Sequence, residues 1–379
     1  MSAVESFTAF DRAAMARALT LAERGLETTD PNPRVGCVLA RGERIVGEGW
    51  HERAGEPHAE IHALRAAGAD ATGATAYVTL EPCSHQGRTP PCVDALIAAK
   101  VARVVFAVGD PNPRVNGRGA DILREAGVQV DSGLLERESA ELNPGFLKRM
   151  RTGRPWVRVK LAMSLDGRTA LASGASQWIT GEAARQDVQL WRARSSAILT
   201  GVGTILTDDP RLTVRLPESS SGPRREPLRV ILDPRLRTAP DARLFACAGE
   251  VLIFAGEPAV GRDPDFDRRR EHLTARAQVQ IVAADAGGRP RLTDVLEALG
   301  RREVNEVWVE AGPTLGGAWL EQSLADELLL YVAPKLLGPQ ARPLLALAEI
   351  RELGDAPGFT FTEVTRIGED LRLRLRPNH

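Results

Sequence analysis

Apolar residues recur along this chain with two different periods. Phe10, Ala14, Ala18 and Leu21 fall at helical spacing and Gly25 stops the run, which predicts an amphipathic helix over residues 7–25. Short apolar runs at 35–39 and 44–50, joined at Arg41-Gly42-Glu43, predict a hairpin. Pro57 is placed to open a helix through Ile61, Leu64 and Ala67, with Gly68 ending it. A strand at 74–80 follows, and Pro91 opens a second helix over 92–100. Then come a strand at 103–108, a helix ending at Gly127 and a short strand at Val128. Strands alternating with helices predict a layered α/β/α domain.

Asn143-Pro144-Gly145 and the basic run 148–154 read as a boundary, giving two domains, 1–147 and 148–379. Two is also the number that 379 residues favour. The second part opens with a strand from Trp156 that breaks at Ser164-Leu165-Asp166-Gly167. A helix over 182–194 and a buried strand at 197–200 follow, with further strands at 228–232, 251–254, 279–282, 306–310, 328–332 and 371–375. Two of these strands run into glycine turns, Gly201-Val202-Gly203-Thr204 and Gly312-Pro313-Thr314-Leu315-Gly316-Gly317. Such strand–glycine–helix junctions expose backbone N–H groups to a pyrophosphate, although neither run matches the spacing Gly-x-Gly-x-x-Gly. Together they point to nucleotide binding. The segments 217–226 and 261–270 read as polar loops.

Charge then narrows the function classes. With 49 basic and 50 acidic residues, nothing marks a nucleic-acid or anionic-membrane partner. No apolar run approaches the ~20 residues of a membrane span. Glu5 and Asp11 near the start read against a signal peptide, and four cysteines fit a reducing cytoplasm, Cys37 and Cys247 as small core residues.

The chemistry concentrates in residues 57–92. His58, Cys83 and Cys92 form a three-ligand set that suits zinc and leaves its fourth position for water. Glu60, two residues after His58, is the spare base, an arrangement used for zinc-dependent deamination. The two cysteines are nine apart rather than three. If both helices begin where their prolines suggest, their positive ends favour thiolates at Cys83 and Cys92. His62 lies one turn after His58 and competes as a ligand, but the metalloprotease pattern needs Glu where Ala59 stands. A structural zinc is the other reading, with His85 as a fourth ligand. Asn32, between Pro31 and Pro33, is either a turn former or a polar group for the site.

These motifs resemble a known family. Pro31-Asn32-Pro33-x-Val35-Gly36, His58-Ala59-Glu60, Thr79-Leu80-Glu81-Pro82-Cys83-Ser84-His85 and Gly87-Arg88-Thr89-Pro90-Pro91-Cys92 are similar to the deaminase half of bifunctional riboflavin-biosynthesis enzymes. Ser164-Leu165-Asp166-Gly167-Arg168, Ser176-Gln177-Trp178-Ile179-Thr180, Asp208-Asp209-Pro210 and Val309-Glu310-Ala311-Gly312-Pro313 are similar to the reductase half. The resemblance implies a cytidine-deaminase-like α/β/α domain followed by a dihydrofolate-reductase-like α/β domain. It implies zinc-dependent deamination of 2,5-diamino-6-(5-phosphoribosylamino)pyrimidin-4(3H)-one, then NADPH reduction of the product's ribose to a ribityl chain.

By the same resemblance, His58, Cys83 and Cys92 hold Zn2+, Glu60 moves protons, and Asn32 and Arg88 meet substrate, Arg88 at its phosphate. NADPH contacts fall on Ala162, Trp178, Thr204, Asp208, Gly312, Pro313, Thr314, Leu315, Gly316, Gly317 and Ala318. Substrate contacts in the second domain fall on Ser176, Arg192, Leu212, Arg215 and Glu310, with both arginines suited to phosphate. Trp178 reads equally as a core aromatic, and Lys160 is a candidate for steadying an oxygen during ring opening. The expected partner is a phosphorylated pyrimidine, with no nucleic acid or membrane, in a homo-oligomer. The alternative function is a nucleoside or tRNA deaminase with an appended nucleotide-binding domain.

Overall fold

The first helical run forms α1 (Ala9–Glu23), capped by Thr8, which accepts from the backbone N–H of Asp11 while its own N–H donates to that carboxylate. A computed structural model describes residues 7–84, 90–112, 115–217, 224–257, 263 and 265–378. The hairpin is β1 (Gly36–Arg41) and β2 (Arg44–Trp50), followed by α2 (Ala59–Ala67), β3 (Thr75–Leu80) and α3 (Cys92–Ala98). Then come β4 (Arg103–Val108), α4 (Arg118–Glu125), β5 (Gln129–Ser132), α5 (Glu136–Leu142) and α6 (Pro144–Thr152). The sheet order is β2-β1-β3-β4-β5, with β1 antiparallel to both neighbours and β3, β4 and β5 parallel.

Alternation along β1 builds a core on each side of this sheet. Cys37 and Leu39 pack with Ala59 and Ala63 of α2, whereas Val38 and Ala40 pack with Ala14, Met15 and Ala18 of α1. Each fully buried Leu or Val contributes about 1.5–3 kcal/mol. The layered arrangement expected from the alternation is therefore present.

Three local expectations change. Helix α2 begins at Ala59, with His58 as its N-cap, rather than at Pro57. The basic run that read as a boundary is helical: α6 spans position 147/148, and the first unit continues to Gly153. Asn143 is part of that unit's interior, its side chain bonding both the N–H and the carbonyl of Arg34 at 2.8 Å. This clamp fixes the turn that carries Asn32.

From Arg154 a second unit begins. Its elements are β6 (Trp156–Ser164), β7 (Arg168–Ala170), α7 (Glu182–Arg194), β8 (Ala197–Gly201), α8 (Val202–Asp208), β9 (Leu228–Leu232), β10 (Val251–Gly256), α9 (Phe266–Thr274) and β11 (Gln278–Val282). They continue with α10 (Leu292–Arg301), β12 (Glu306–Glu310), α11 (Pro313–Glu321), β13 (Glu327–Ala333), β14 (Arg342–Pro343), β15 (Phe359–Ile367) and β16 (Asp370–Pro377). The nine-stranded order is β11-β10-β9-β8-β12-β6-β13-β16-β15, and only β16 opposes its neighbours. Strand β15, which no apolar run in the sequence marks, is an edge strand whose Phe361 and Val364 are exposed.

Buried charge ties the middle of this sheet together. Arg158 lies between Glu306 and Glu327, and Glu327 also accepts from Arg374. Trp191 stacks on Trp308, with ring centroids 6.0 Å apart and planes 7° from parallel.

Candidate functional site

In the first unit the site grows from two helix starts and one strand end. Gly49 of β2 lets α2 lie close, since a Cβ there would come 2.5 Å from the Ala59 carbonyl oxygen. His58 has extended backbone and makes no side-chain cap, so its imidazole is free to face the cysteines. Its Nδ1 is 3.3 Å from Cys92 Sγ and 3.5 Å from Cys83 Sγ. Zinc bonds of about 2.1 Å to nitrogen and about 2.3 Å to sulfur separate tetrahedral N and S ligands by roughly 3.6 Å. The donor set therefore fits a zinc ion. Among the described residues no fourth His, Cys, Asp or Glu joins the group, and His62 is not part of it. His85 and Arg88 lie outside the described residues.

Electrostatics divide the two thiols. Cys83 is held well below the usual thiol range by the hydrogen bond from Cys92 and by His58. Cys92 is pushed up by Cys83 and by burial. His58 is raised by its hydrogen bond to Cys83. Glu60, 3 % exposed in the first turn of α2, is raised by burial and then by the charge of Cys83. A buried carboxyl with raised proton affinity beside a three-ligand metal group is equipped to accept and return protons.

Two residues that the sequence reading did not assign hold this arrangement. His51 is buried, which lowers its pKa to about 4 and keeps the ring neutral. Its Nδ1 donates to the Pro57 carbonyl at 3.1 Å, so Nε2 accepts from Asn32 Nδ2 at 3.0 Å. Asn32 is thereby joined to the segment that enters α2. Glu81 anchors the other side, its carboxylate accepting from the N–H groups of Asp110, Gly117, Gly119 and Ala120 at 3.1–3.3 Å. No periodicity signals either role, because each is a contact between segments far apart in sequence.

The second unit carries a cavity of about 1030 Å³ outside the carboxyl ends of its parallel strands. Lys160 and Glu310, paired in the β6–β12 register, line one end. Burial lowers the Lys160 pKa. Burial alone would raise Glu310, but Arg192, Lys160 and the indole N–H of Trp308 hold it at about 2. Ala162, Ser176, Thr204, Asp208, the Gly312–Leu315 turn and Ala318 also line the cavity.

The other expected contact residues do not line this cavity. Arg192 bonds Glu310 through Nε at 2.5 Å and Nη2 at 2.8 Å, and its Nη1 donates to the Thr213 carbonyl, so its fork is already engaged. Leu212 is a core residue with φ of 52°. Arg215 is exposed, and its N–H bonds Gln189. Trp178 is 63 % exposed under the Arg185 guanidinium and does not line the cavity, so neither the core reading nor direct lining describes it. Gly316 and Gly317 serve packing: a Cβ on Gly317 would come 2.3 Å from the Ala346 carbonyl oxygen.

Comparison with known proteins covers both units. Residues 8–108 match the cytidine and deoxycytidylate deaminase zinc-binding region, and residues 155–373 match the RibD C-terminal domain. The riboflavin biosynthesis protein RibD of Escherichia coli is 52% identical over 369 residues, 95% of this chain and 98% of that one. The Haemophilus influenzae protein of the same name is 47% identical over 383 residues, 98% of each chain. Among solved structures, Acinetobacter baumannii RibD superposes with a TM-score of 0.88 at 44% identity, covering 98% of this chain and 99% of its own. A Thermotoga maritima diaminohydroxyphosphoribosylaminopyrimidine deaminase/5-amino-6-(5-phosphoribosylamino)uracil reductase gives 0.83 at 33% identity, covering 97% and 99%.

Proposed function

We propose residue roles from one premise: this chain belongs to the RibD family of bifunctional riboflavin-biosynthesis deaminase–reductases. It deaminates 2,5-diamino-6-(5-phosphoribosylamino)pyrimidin-4(3H)-one in its cytidine-deaminase-like domain. It then reduces the product's ribose to a ribityl chain in its dihydrofolate-reductase-like domain. Zinc and NADPH are its cofactors.

His58, Cys83 and Cys92 hold the zinc, which when bound lowers the pKa of water from ~15.7 to ~7. Glu60 accepts the proton released as water adds to the ring carbon bearing the amine, and returns protons to the ring nitrogen and the departing ammonia. Asn32, oriented by His51, positions the pyrimidine, and Arg88 receives its phosphate. The observation that carries this reading is the approach of one imidazole, two thiols and a buried carboxyl at two helix starts.

In the second domain NADPH supplies hydride, held by Ala162, Thr204, Asp208 and the turn that opens α11. Trp178 contacts the cofactor from its exposed position, and Ser176 and Glu310, which line the cavity, meet the sugar. Arg192 sets the direction of Glu310. Leu212 and Arg215 contribute to the substrate side, the Arg215 guanidinium being suited to the phosphate.

A homo-oligomer is supported by the long edge strand β15 with its exposed Phe361 and Val364. Balanced charge supports a small-molecule partner over nucleic acid, and four free cysteines support a reducing, cytoplasmic setting. No described helix is long and apolar enough to cross a membrane. The deciding experiment follows ammonia release from the diamino substrate and zinc content together in Glu60→Gln. Retained zinc with lost ammonia release supports the roles; near wild-type release overturns them.

A further inference from the structure

The reductase cavity is polar at both ends, and the chemistry just described uses only one of them. The far end lies beyond β9 and before α10, where two short turns meet. The first follows β9. Asp233, fully buried, accepts from both the N–H and the hydroxyl of Thr238, pinning the turn that presents Arg237. The second precedes α10. Asp285 accepts from the N–H groups of Gly287 and Arg289, both at 2.8 Å, and its own N–H bonds the Arg289 carbonyl. Each turn is held by its backbone and leaves an arginine side chain outside the locking bonds.

Arg237 and Arg289 both line this end of the cavity, and they also line the smaller hollow of about 460 Å³ that adjoins it. Neither guanidinium has a hydrogen-bonded or ion-pair partner among the described residues. Their neighbour Arg291 differs, being committed to Asp294 through both Nε and Nη2. Two unengaged planar forks on separately pinned turns make a bidentate site for a phosphate dianion.

The cofactor's own charge distribution says which phosphate. Its nicotinamide belongs at the Lys160–Glu310 end, where the hydride is needed. Its pyrophosphate suits the bare N–H groups at the start of α11, where Gly312 is the N-cap without a side-chain cap. The remaining charged group of NADPH is the 2′-phosphate on the adenosine ribose, the one group that NADH lacks. We infer that Arg237 and Arg289 grip this 2′-phosphate and give the enzyme its preference for NADPH over NADH. The inference rests on the NADPH site proposed above and adds the residues that select the cofactor.

The test is equilibrium binding, by titration calorimetry, of NADPH, NADH, 2′,5′-ADP and 5′-AMP to the full-length protein. Wild type, Arg237→Gln, Arg289→Gln and the double variant are compared at one ionic strength. Charge-assisted bonds at an exposed site predict a roughly tenfold weaker NADPH complex per arginine. NADH and 5′-AMP should change less than about threefold, which also reports that the variants are folded. 2′,5′-ADP should follow NADPH. Parallel loss of NADPH and NADH, or unchanged NADPH affinity in the double variant, overturns the role of the arginines while leaving the cofactor site in place. A wild-type protein that binds NADH as tightly as NADPH overturns the cofactor reading as well.

Discussion

Glu60 is buried and Glu310 half-buried at the cavity wall, yet their surroundings drive the two carboxylates apart. Burial and the nearby Cys83 raise Glu60, so it holds a proton readily and can hand it on. Removing that ability while keeping shape, as in Glu60→Gln, should reduce ammonia release by roughly 100-fold or more with zinc still bound. Cys83→Ser and Cys92→Ser should instead release the metal, read as zinc per chain after gel filtration. Glu310 is held at about 2 by Arg192, Lys160 and Trp308 against the effect of burial. A depressed carboxyl stabilises the fold fully above its unfolded value of about 4.3 and loses that contribution as pH falls through about 2. Acid unfolding of the second unit should therefore be steep between about pH 4 and 2. In Glu310→Gln this part of the pH slope should flatten, measured by denaturant titration at stepped pH.

Elements explain why part of the site could be read directly and part could not. His58, Glu60, Cys83 and Cys92 are chemically conspicuous, and prolines and glycines mark the helices that carry them. The Gly312 turn and the strand ends were legible for the same reason. What periodicity does not carry is pairing between distant segments. Asn143 looks like a linker residue but clamps Arg34, and Arg192 looks like a free phosphate ligand but is bonded to Glu310. Glu81 stands in a recognisable motif, yet its work is to gather four N–H groups, Asp110 after β4 and three from the start of α4. Glu81→Gln places an amide donor among those donors and should cost about 1–3 kcal/mol, seen as a lower urea midpoint with weaker zinc retention. Strand β15 leaves no such mark in the sequence because, as an edge strand with exposed Phe361 and Val364, it lacks the buried apolar run of a central strand such as β13.

At the scale of the whole molecule, two chemistries occupy two compact units of one chain. Glu60→Ala should abolish ammonia release yet leave NADPH oxidation intact when the deaminated compound is supplied. Asp208→Asn, which alters the cofactor cavity, should slow reduction at least roughly tenfold while ammonia release continues. Loss of both activities in either folded, zinc-replete variant contradicts separate sites. The stacked indoles offer a way to watch the second site alone. Trp308 donates its N–H to Glu310 at 2.7 Å while lying nearly parallel to Trp191, so the pair reports on the carboxylate that faces the cavity. Two parallel chromophores at this spacing couple their electronic transitions, and the first unit contributes only Trp50. Occupation of the sugar end should thus change the ellipticity of the coupled indoles with no dye or label attached, making the protein its own optical gauge of the second reaction.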